Sequence, residues 1–306
     1  MSRILAFALL PLILWQQDIA TAPALRRAGI ERIAVTPDVA PLWRNAGFEV
    51  VAITSGELAR RTSLDVPRIL ARADLASPTR VPWVVANGWR FIRQPGAAFV
   101  YNNLPSGRAP LAAAEGFAYQ ADVVLKIDPA DLDNTGALFT FLKTIPAREM
   151  SPVADIAVVD DGSLLVGEAL NLFSRRNLLF RIVQSPSADY RINVKSGPEM
   201  ADPSQFALKI RRQLTDEQRS LRVYGSEVVI CRLTANPAGA RLHLLNYSGR
   251  ELEGLRVRLK GAYKTATATS FGPGRLALED MLVEPNAIEF TLPRVGLYSV
   301  VDLTKE

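Results

Sequence analysis

The hydrophobic pattern changes period near residue 226, and that change constrains the fold more than any other feature of the chain. In Arg241-Leu242-His243-Leu244-Leu245-Asn246 and Leu255-Arg256-Val257-Arg258-Leu259-Lys260 apolar and polar residues alternate. A period of two puts one set of side chains on each face of a strand. Residues 265–269, 276–283, 288–292 and 297–303 repeat the pattern. Tyr247-Ser248-Gly249-Arg250, Phe271-Gly272-Pro273-Gly274 and Glu284-Pro285-Asn286 supply turns between them. About six or seven short strands with such punctuation predict a small antiparallel β-sandwich over residues 226–306.

The preceding residues read differently, as alternating helix and strand. Thr21-Ala22-Pro23 opens a short helix, and residues 30–36 form a strand. Asp38 caps a helix with Val39, Leu42, Trp43 and Ala46 on one face, and Gly47 stops it. Residues 48–54 are nearly all apolar, as in a strand covered on both faces. Helical crossovers between such strands imply a parallel sheet. A third strand is expected at 82–87 and a fourth at 121–128, with a Gly-, Pro- and Asn-rich loop at 93–108 and a helix at 109–120 between them. Asn134 or Thr135 caps the next helix. Residues 146–152 read as a linker. A second α/β unit follows, with strands at 154–160 and 178–183 around a helix at 163–176. Phe206, Ile210 and Leu214 mark one face of a helix opened by Asp202-Pro203. The expected domains are 23–150, 151–225 and 226–306.

The N-terminus allows two readings. Met1-Ser2-Arg3 precedes an apolar run, residues 4–15, broken only by Pro11. A basic end, an apolar stretch and small residues at Ala20-Thr21-Ala22 match a signal peptide over residues 1–22, and with it a secreted or periplasmic protein. The run is short for a bilayer span, and no membrane span is expected in the exported chain. The alternative is a buried first strand at 12–15 leading into the helix at Thr21.

Composition excludes several chemistries. With one cysteine, Cys231, no intrachain disulfide forms. One cysteine and one histidine rule out a Cys/His zinc site. A Ser-His-Asp triad would have to use His243, which sits in an alternating strand. Cys231 follows Val228-Val229-Ile230 and reads as a core residue. The net charge is +5, but the basic residues are scattered and no nucleic-acid motif accompanies them, so no nucleic-acid partner is expected. There is no Walker loop or dinucleotide fingerprint, and no clustered Asp, Glu and His. No cofactor and no metal are expected.

Leu242-His243-Leu244-Leu245-Asn246-Tyr247-Ser248, Leu255-Arg256-Val257-Arg258, Glu289-Phe290-Thr291-Leu292-Pro293 and Tyr298-Ser299-Val300-Val301 resemble the C-terminal domains of multidomain glycoside hydrolases of the β-galactosidase kind. Ile156-Ala157-Val158-Val159-Asp160 through Arg176-Asn177-Leu178-Leu179-Phe180 is similar to their flavodoxin-like domain. The resemblance covers about half of the chain and implies a (β/α) barrel, a flavodoxin-like α/β unit and a C-terminal antiparallel β-sandwich. A complete barrel takes about 200–250 residues. Only a reduced or partial (β/α) barrel fits before residue 150. The implied activity is that of a glycoside hydrolase-like protein acting on or binding oligo- or polysaccharide; the alternative is a non-catalytic carbohydrate-binding or scaffold protein. Neither the acid nor the nucleophile of the family is matched by a motif here.

Glycoside hydrolysis needs two carboxyl groups flanking one bond. In parallel α/β folds the site lies at the carboxyl ends of the strands. Asp128 ends the fourth strand and is the first candidate, with Glu115 in the preceding helix and Asp160 at the end of the middle strand. Asn87, Trp89, Arg90 and Asp131 are the candidate substrate contacts: Trp89 offers a flat face for a sugar ring, and the others offer polar groups for hydroxyls. Each has a structural alternative. Asp38 and Asp160-Asp161 fit helix caps, Asp131 fits a loop tie, Glu115 fits a position beside the core, and Trp89 fits a core residue. Trp15-Gln16-Gln17-Asp18 is a second polar-aromatic cluster, relevant if the N-terminus is retained.

Overall fold

The computed structural model describes residues 10–70 and 83–305. The chain divides into two compact units, one of Met1–Pro67 with Gln94–Arg148, the other of Arg68–Arg93 with Glu149–Glu306. Residues 68–93 group with residues 149–306 in the second unit.

The first unit begins with β1 (Leu12–Leu14), followed by α1 (Ala22–Arg27), β2 (Arg32–Val35), α2 (Ala40–Asn45), β3 (Glu49–Ala52), α3 (Ser55–Arg60) and β4 (Thr62–Ser63). The chain then leaves for a hairpin, β5 (Arg68–Leu70) with β6 (Trp83–Val85), and α4 (Gly88–Arg93). It returns through β7 (Ala98–Tyr101), α5 (Ala109–Tyr119), β8 (Asp122–Leu125) and α6 (Leu132–Lys143). The sheet order is β3-β2-β1-β8-β7-β4, all parallel.

That order is a ring of strands in chain sequence, opened at one seam. The first strand pairs with the last, Leu12 opposite Val124 and Ile13 opposite Leu125. The unpaired seam separates β3 from β4, which are neighbours in sequence. Residues 53–61 join them and, with Ser55–Arg60 helical, reach at most about 25 Å. On a flat six-stranded sheet they would cross five spacings, about 24 Å, and also return along a strand. A flat sheet therefore leaves this connection no slack, and a curled one does. The result is a partial (β/α) barrel.

Side-chain alternation confirms two faces. Leu12, Leu14, Ala34, Val100 and Val124 form one cluster with Ile53, Val51 and Leu58. Ile13, Ile33, Val35, Phe99, Tyr101, Val123 and Leu125 point the other way and are also buried. β1 is central, flanked by β2 and β8. Of the two readings of the N-terminus, a strand at residues 12–14 is what the fold contains; residues 1–9 lie outside the described residues.

Two stretches differ from expectation: residues 93–108, read as a loop, contain β7, whose apolar Ala98–Tyr101 pair in parallel with β4 and β8, and the strand expected at 82–87 joins another sheet. Residues 83–85 do not join the parallel sheet; they pair antiparallel with Arg68–Leu70. Leu70, Trp83, Val85, Trp89 and Ile92 pack on the second unit's α/β core, which draws this excursion out of the barrel order. Helix α6 also starts earlier than Asn134, since Pro129–Asp131 already forms a helical turn leading into it.

In the second unit, β9 (Ser151–Pro152) precedes β10 (Ile156–Val159), α7 (Leu164–Arg175), β11 (Phe180–Val183), β12 (Ile192–Lys195) and α8 (Pro203–Gln213). The strands form a parallel sheet in the order β11-β10-β12. The helices bury Val166, Leu170, Phe173, Phe206 and Ile210 against Ile156 and Val158. The sandwich follows with β13 (Leu221–Tyr224), β14 (Val229–Asn236), β15 (Gly239–Asn246), β16 (Leu252–Lys260), β17 (Thr265–Ser270), β18 (Gly274–Leu276), β19 (Glu279–Glu284), β20 (Ala287–Val295) and β21 (Tyr298–Thr304). Its two sheets are β13-β16-β20-β19 and β18-β17-β21-β15-β14-β9. Leu242, Leu244, Val257, Leu259, Ile288, Phe290, Leu292, Val301 and Leu303, the alternating apolar set, form its core. Among the described residues no helix is long and apolar enough to cross a membrane.

Candidate functional site

Parallel strands deliver their C-terminal ends, and the loops that follow, to one edge of a sheet. In the first unit that edge gathers Gln16, Gln17 and Asp18 after β1, Thr36 and Asp38 after β2, and Thr54 after β3. Asp65 follows β4, Asn102 and Asn103 follow β7, and Lys126 and Asp128 follow β8. Thr36, Asn102 and Asp128 are half-buried and the rest are exposed. The Asn102 amide donates to the Ser63 hydroxyl at 3.1 Å, tying the end of β7 to the end of β4. Trp15 turns inward, buried, and its indole N–H donates to Thr21 at 2.9 Å.

Four carboxylates at or beside this edge are engaged in local turns and caps: Asp18, Asp38, Glu57 and Asp128. Asp18 Oδ1 accepts from the Ala20 amide at 2.8 Å, and Asp128 Oδ1 accepts from the Ala130 amide at 2.9 Å. Glu57, in the first turn of α3, closes a capping box with Thr54, accepting from its amide at 2.8 Å and its hydroxyl at 2.7 Å. Those two bonds hold the Glu57 carboxyl below its ordinary value. The Thr36 hydroxyl does the same for Asp38, helped by backbone amides. A general acid requires the opposite shift, upward, as burial in an apolar pocket provides.

The residues singled out from sequence fall in different places. Asp128 lies at the rim. Glu115 is fully enclosed on α5 and accepts a hydrogen bond from the buried Tyr101 hydroxyl. Tyr101 faces away from the inner cluster, so Glu115 sits in the helical layer. Asp131 is only 2% exposed and accepts from the Gly107 amide at 2.5 Å, the Ala109 amide at 3.1 Å and the Ser106 hydroxyl at 3.3 Å. It ties the loop before α5 to the start of α6.

Asp160, Asn87, Trp89 and Arg90 belong to the second unit, apart from Asp128, Glu115 and Asp131 in the first. The Arg93 guanidinium grips Asp160 through two parallel bonds of 2.7 and 2.8 Å and also donates to the Ser163 carbonyl at 2.8 Å. The Arg93 and Gly162 bonds lower the Asp160 carboxyl against the upward pull of burial. Asn87 is buried, and its carbonyl accepts from Arg90 and Phe91 at the start of α4. Trp89 packs toward Gly167 of α7, with the Arg90 guanidinium 4.6 Å from its ring centroid. Its ring is thus part of the packing that holds α4. The lone histidine, His243, is buried in the sandwich 2.6 Å from the Tyr298 hydroxyl, and burial with nearby Arg232 and Arg241 keeps it well below 6.5. Among the described residues no group of three His, Cys, Asp or Glu could hold a metal ion.

Sequence reasoning passed over Asn102, Asn103 and Lys126, and made Gln16 and Gln17 conditional. The available signal was positional: each directly follows an apolar strand.

No protein-family model matches the chain. No curated protein matches it either. Solved structures do. Alpha-L-fucosidase isoenzyme 2 from Paenibacillus thiaminolyticus aligns with a TM-score of 0.50 at 11% identity, over 65% of this chain and 57% of that one. A GH42 β-galactosidase catalytic mutant from G. stearothermophilus aligns over 96% of this chain and 63% of that one, at 8% identity and a TM-score of 0.37. An α-amylase from Geobacillus thermoleovorans, complexed with acarbose, aligns over 97% and 98% at 11% identity and a TM-score of 0.28. The chain spans 57% of the fucosidase's length. At this identity the fucosidase likeness is one of fold. The fold is a partial parallel α/β barrel, a second α/β unit and an antiparallel β-sandwich, and it is like that of the fucosidase over 65% of the chain.

Proposed function

We propose that this protein binds oligo- or polysaccharide at the C-terminal rim of its partial barrel and does not cleave it. One observation carries the reading. The rim presents exposed amides and an ammonium group, Gln16, Gln17, Asn103 and Lys126, while Asp18, Asp38, Glu57 and Asp128 accept local turn and cap bonds. Planar amides that both donate and accept suit sugar hydroxyls, which do the same. The fold likeness to a fucosidase supports a carbohydrate as the ligand class.

The hydrolytic alternative rests on Asp128, the one of the three catalytic candidates that lies at a strand end of the first unit. It requires a second carboxyl group about 5–10 Å away and an acid with a raised pKa. The lowered pKa values of Asp38 and Glu57 run against that.

A glycan array probed with the full chain tests the reading. It predicts selective retention on a subset of glycans, weakened about two- to tenfold by each of Asn103→Ala and Lys126→Ala. Uniform background signal removes carbohydrate as the ligand. Selective binding that neither substitution alters removes the rim as its site.

A further inference from the structure

Strand β19 is an edge of the sheet β13-β16-β20-β19, paired only with β20 among the described residues. All six of its residues are exposed. Met281, Leu282 and Val283 are 52%, 50% and 46% exposed, and they follow one another along the strand. Leu282 stands opposite Glu289 and Val283 opposite Ile288, so the apolar side chains project from both faces of the hairpin. An edge with free main-chain groups and consecutive exposed apolar side chains is adhesive toward another strand.

Charge selects the occupant. The strand carries Glu279, Asp280 and Glu284 and no base, on a chain whose net charge is +5. A second copy pairing antiparallel would bring the acidic Glu279-Asp280 end of each strand against Glu284 of the other. Like charges directly opposite are destabilising. We infer that the free edge of β19 docks an extended segment of a different polypeptide, in which Lys or Arg alternates with apolar residues, by adding it as a strand. The docked stretch is short. A register shift between Glu279 and Leu282, with Asp280 at φ 47°, ends regular pairing on that side.

Fluorescence anisotropy with the full-length protein tests this. The probes are a labelled hexapeptide alternating lysine and valine, the same peptide with glutamate for lysine, and the lysine peptide with alternate amides N-methylated. The lysine peptide is expected to bind saturably, at least tenfold more tightly than the glutamate peptide. Methylation should abolish binding by removing main-chain donors, and a Glu279→Lys, Glu284→Lys double variant should reverse the charge preference. Absence of saturable binding, or equal affinity for both charges, overturns the inference. So does sedimentation of the unliganded protein as a dimer that Val283→Lys dissociates, because the edge would then be a self-interface.

Discussion

Asp131 sits where a ligand-binding carboxylate is expected, after a strand of a parallel sheet, yet its oxygens are taken by Ser106, Gly107 and Ala109. Asp131→Ala should cost about 2–4 kcal/mol in urea unfolding by stranding buried backbone donors. Glycan retention should persist once the variant is folded. His243 gives a pH signature of its own. Its folded-state pKa lies below the unfolded value of 6.5, so the unfolded chain binds more protons. Stability is complete above about pH 6.5 and falls with acidification below it, by at most about 1.4 kcal/mol per pH unit. Denaturation at pH 7 and pH 5 should show that loss, and His243→Gln should flatten it. Roles such as these were only partly legible in the sequence. The helix start at Asp202 follows from local spacing, and the structure has its cap there, whereas the cap read at Asp160-Asp161 falls instead on Ser163, whose hydroxyl accepts from the Val166 amide. The grip of Arg93 on Asp160 spans 67 positions, and no local pattern encodes it. Sequence cannot show that the Trp89 ring packs toward α7 and against Arg90.

Elements were more legible where their period is strong. Most sandwich strands follow from alternation, because they bury one face on Leu242, Val257, Phe290 and their neighbours, and β19, exposed throughout, is the exception. The apolar residues 83–85 read as a parallel strand, since hydrophobicity does not say which sheet a strand joins. Their pairing with Arg68–Leu70 is set by the core of the second unit. Strand β1 carries the clearest consequence at this scale. It lies between β2 and β8, so a chain starting at residue 23 lacks the centre of the sheet. Such a truncation should fail to unfold cooperatively in calorimetry, whereas the full chain should show a sharp transition. N-terminal sequencing of protein recovered from cells should accordingly find residues 12–14 retained. Helix α6 offers a finer test. A Cβ on Gly136 would run into the Ala28 carbonyl oxygen following α1. Gly136→Ala should destabilise by about 1–3 kcal/mol despite its better helix propensity.

At the scale of the molecule, strand order explains why a segment too short for a complete barrel still builds a strand-end rim. Pairing of β1 with β8 closes one side of the ring, and the short link between β3 and β4 curls the other. The rim then collects polar residues from six strands, and Asp18, Glu57 and Asp128 serve turns and a cap. The most direct test of non-hydrolytic binding uses one soluble oligosaccharide identified by the array. Its affinity would be measured by calorimetry, and its integrity followed by reducing-end analysis over a prolonged incubation from pH 4 to 8. The account predicts saturable binding and no new reducing ends. Release of reducing ends at a rate abolished by Asp128→Asn, with affinity kept, would contradict it.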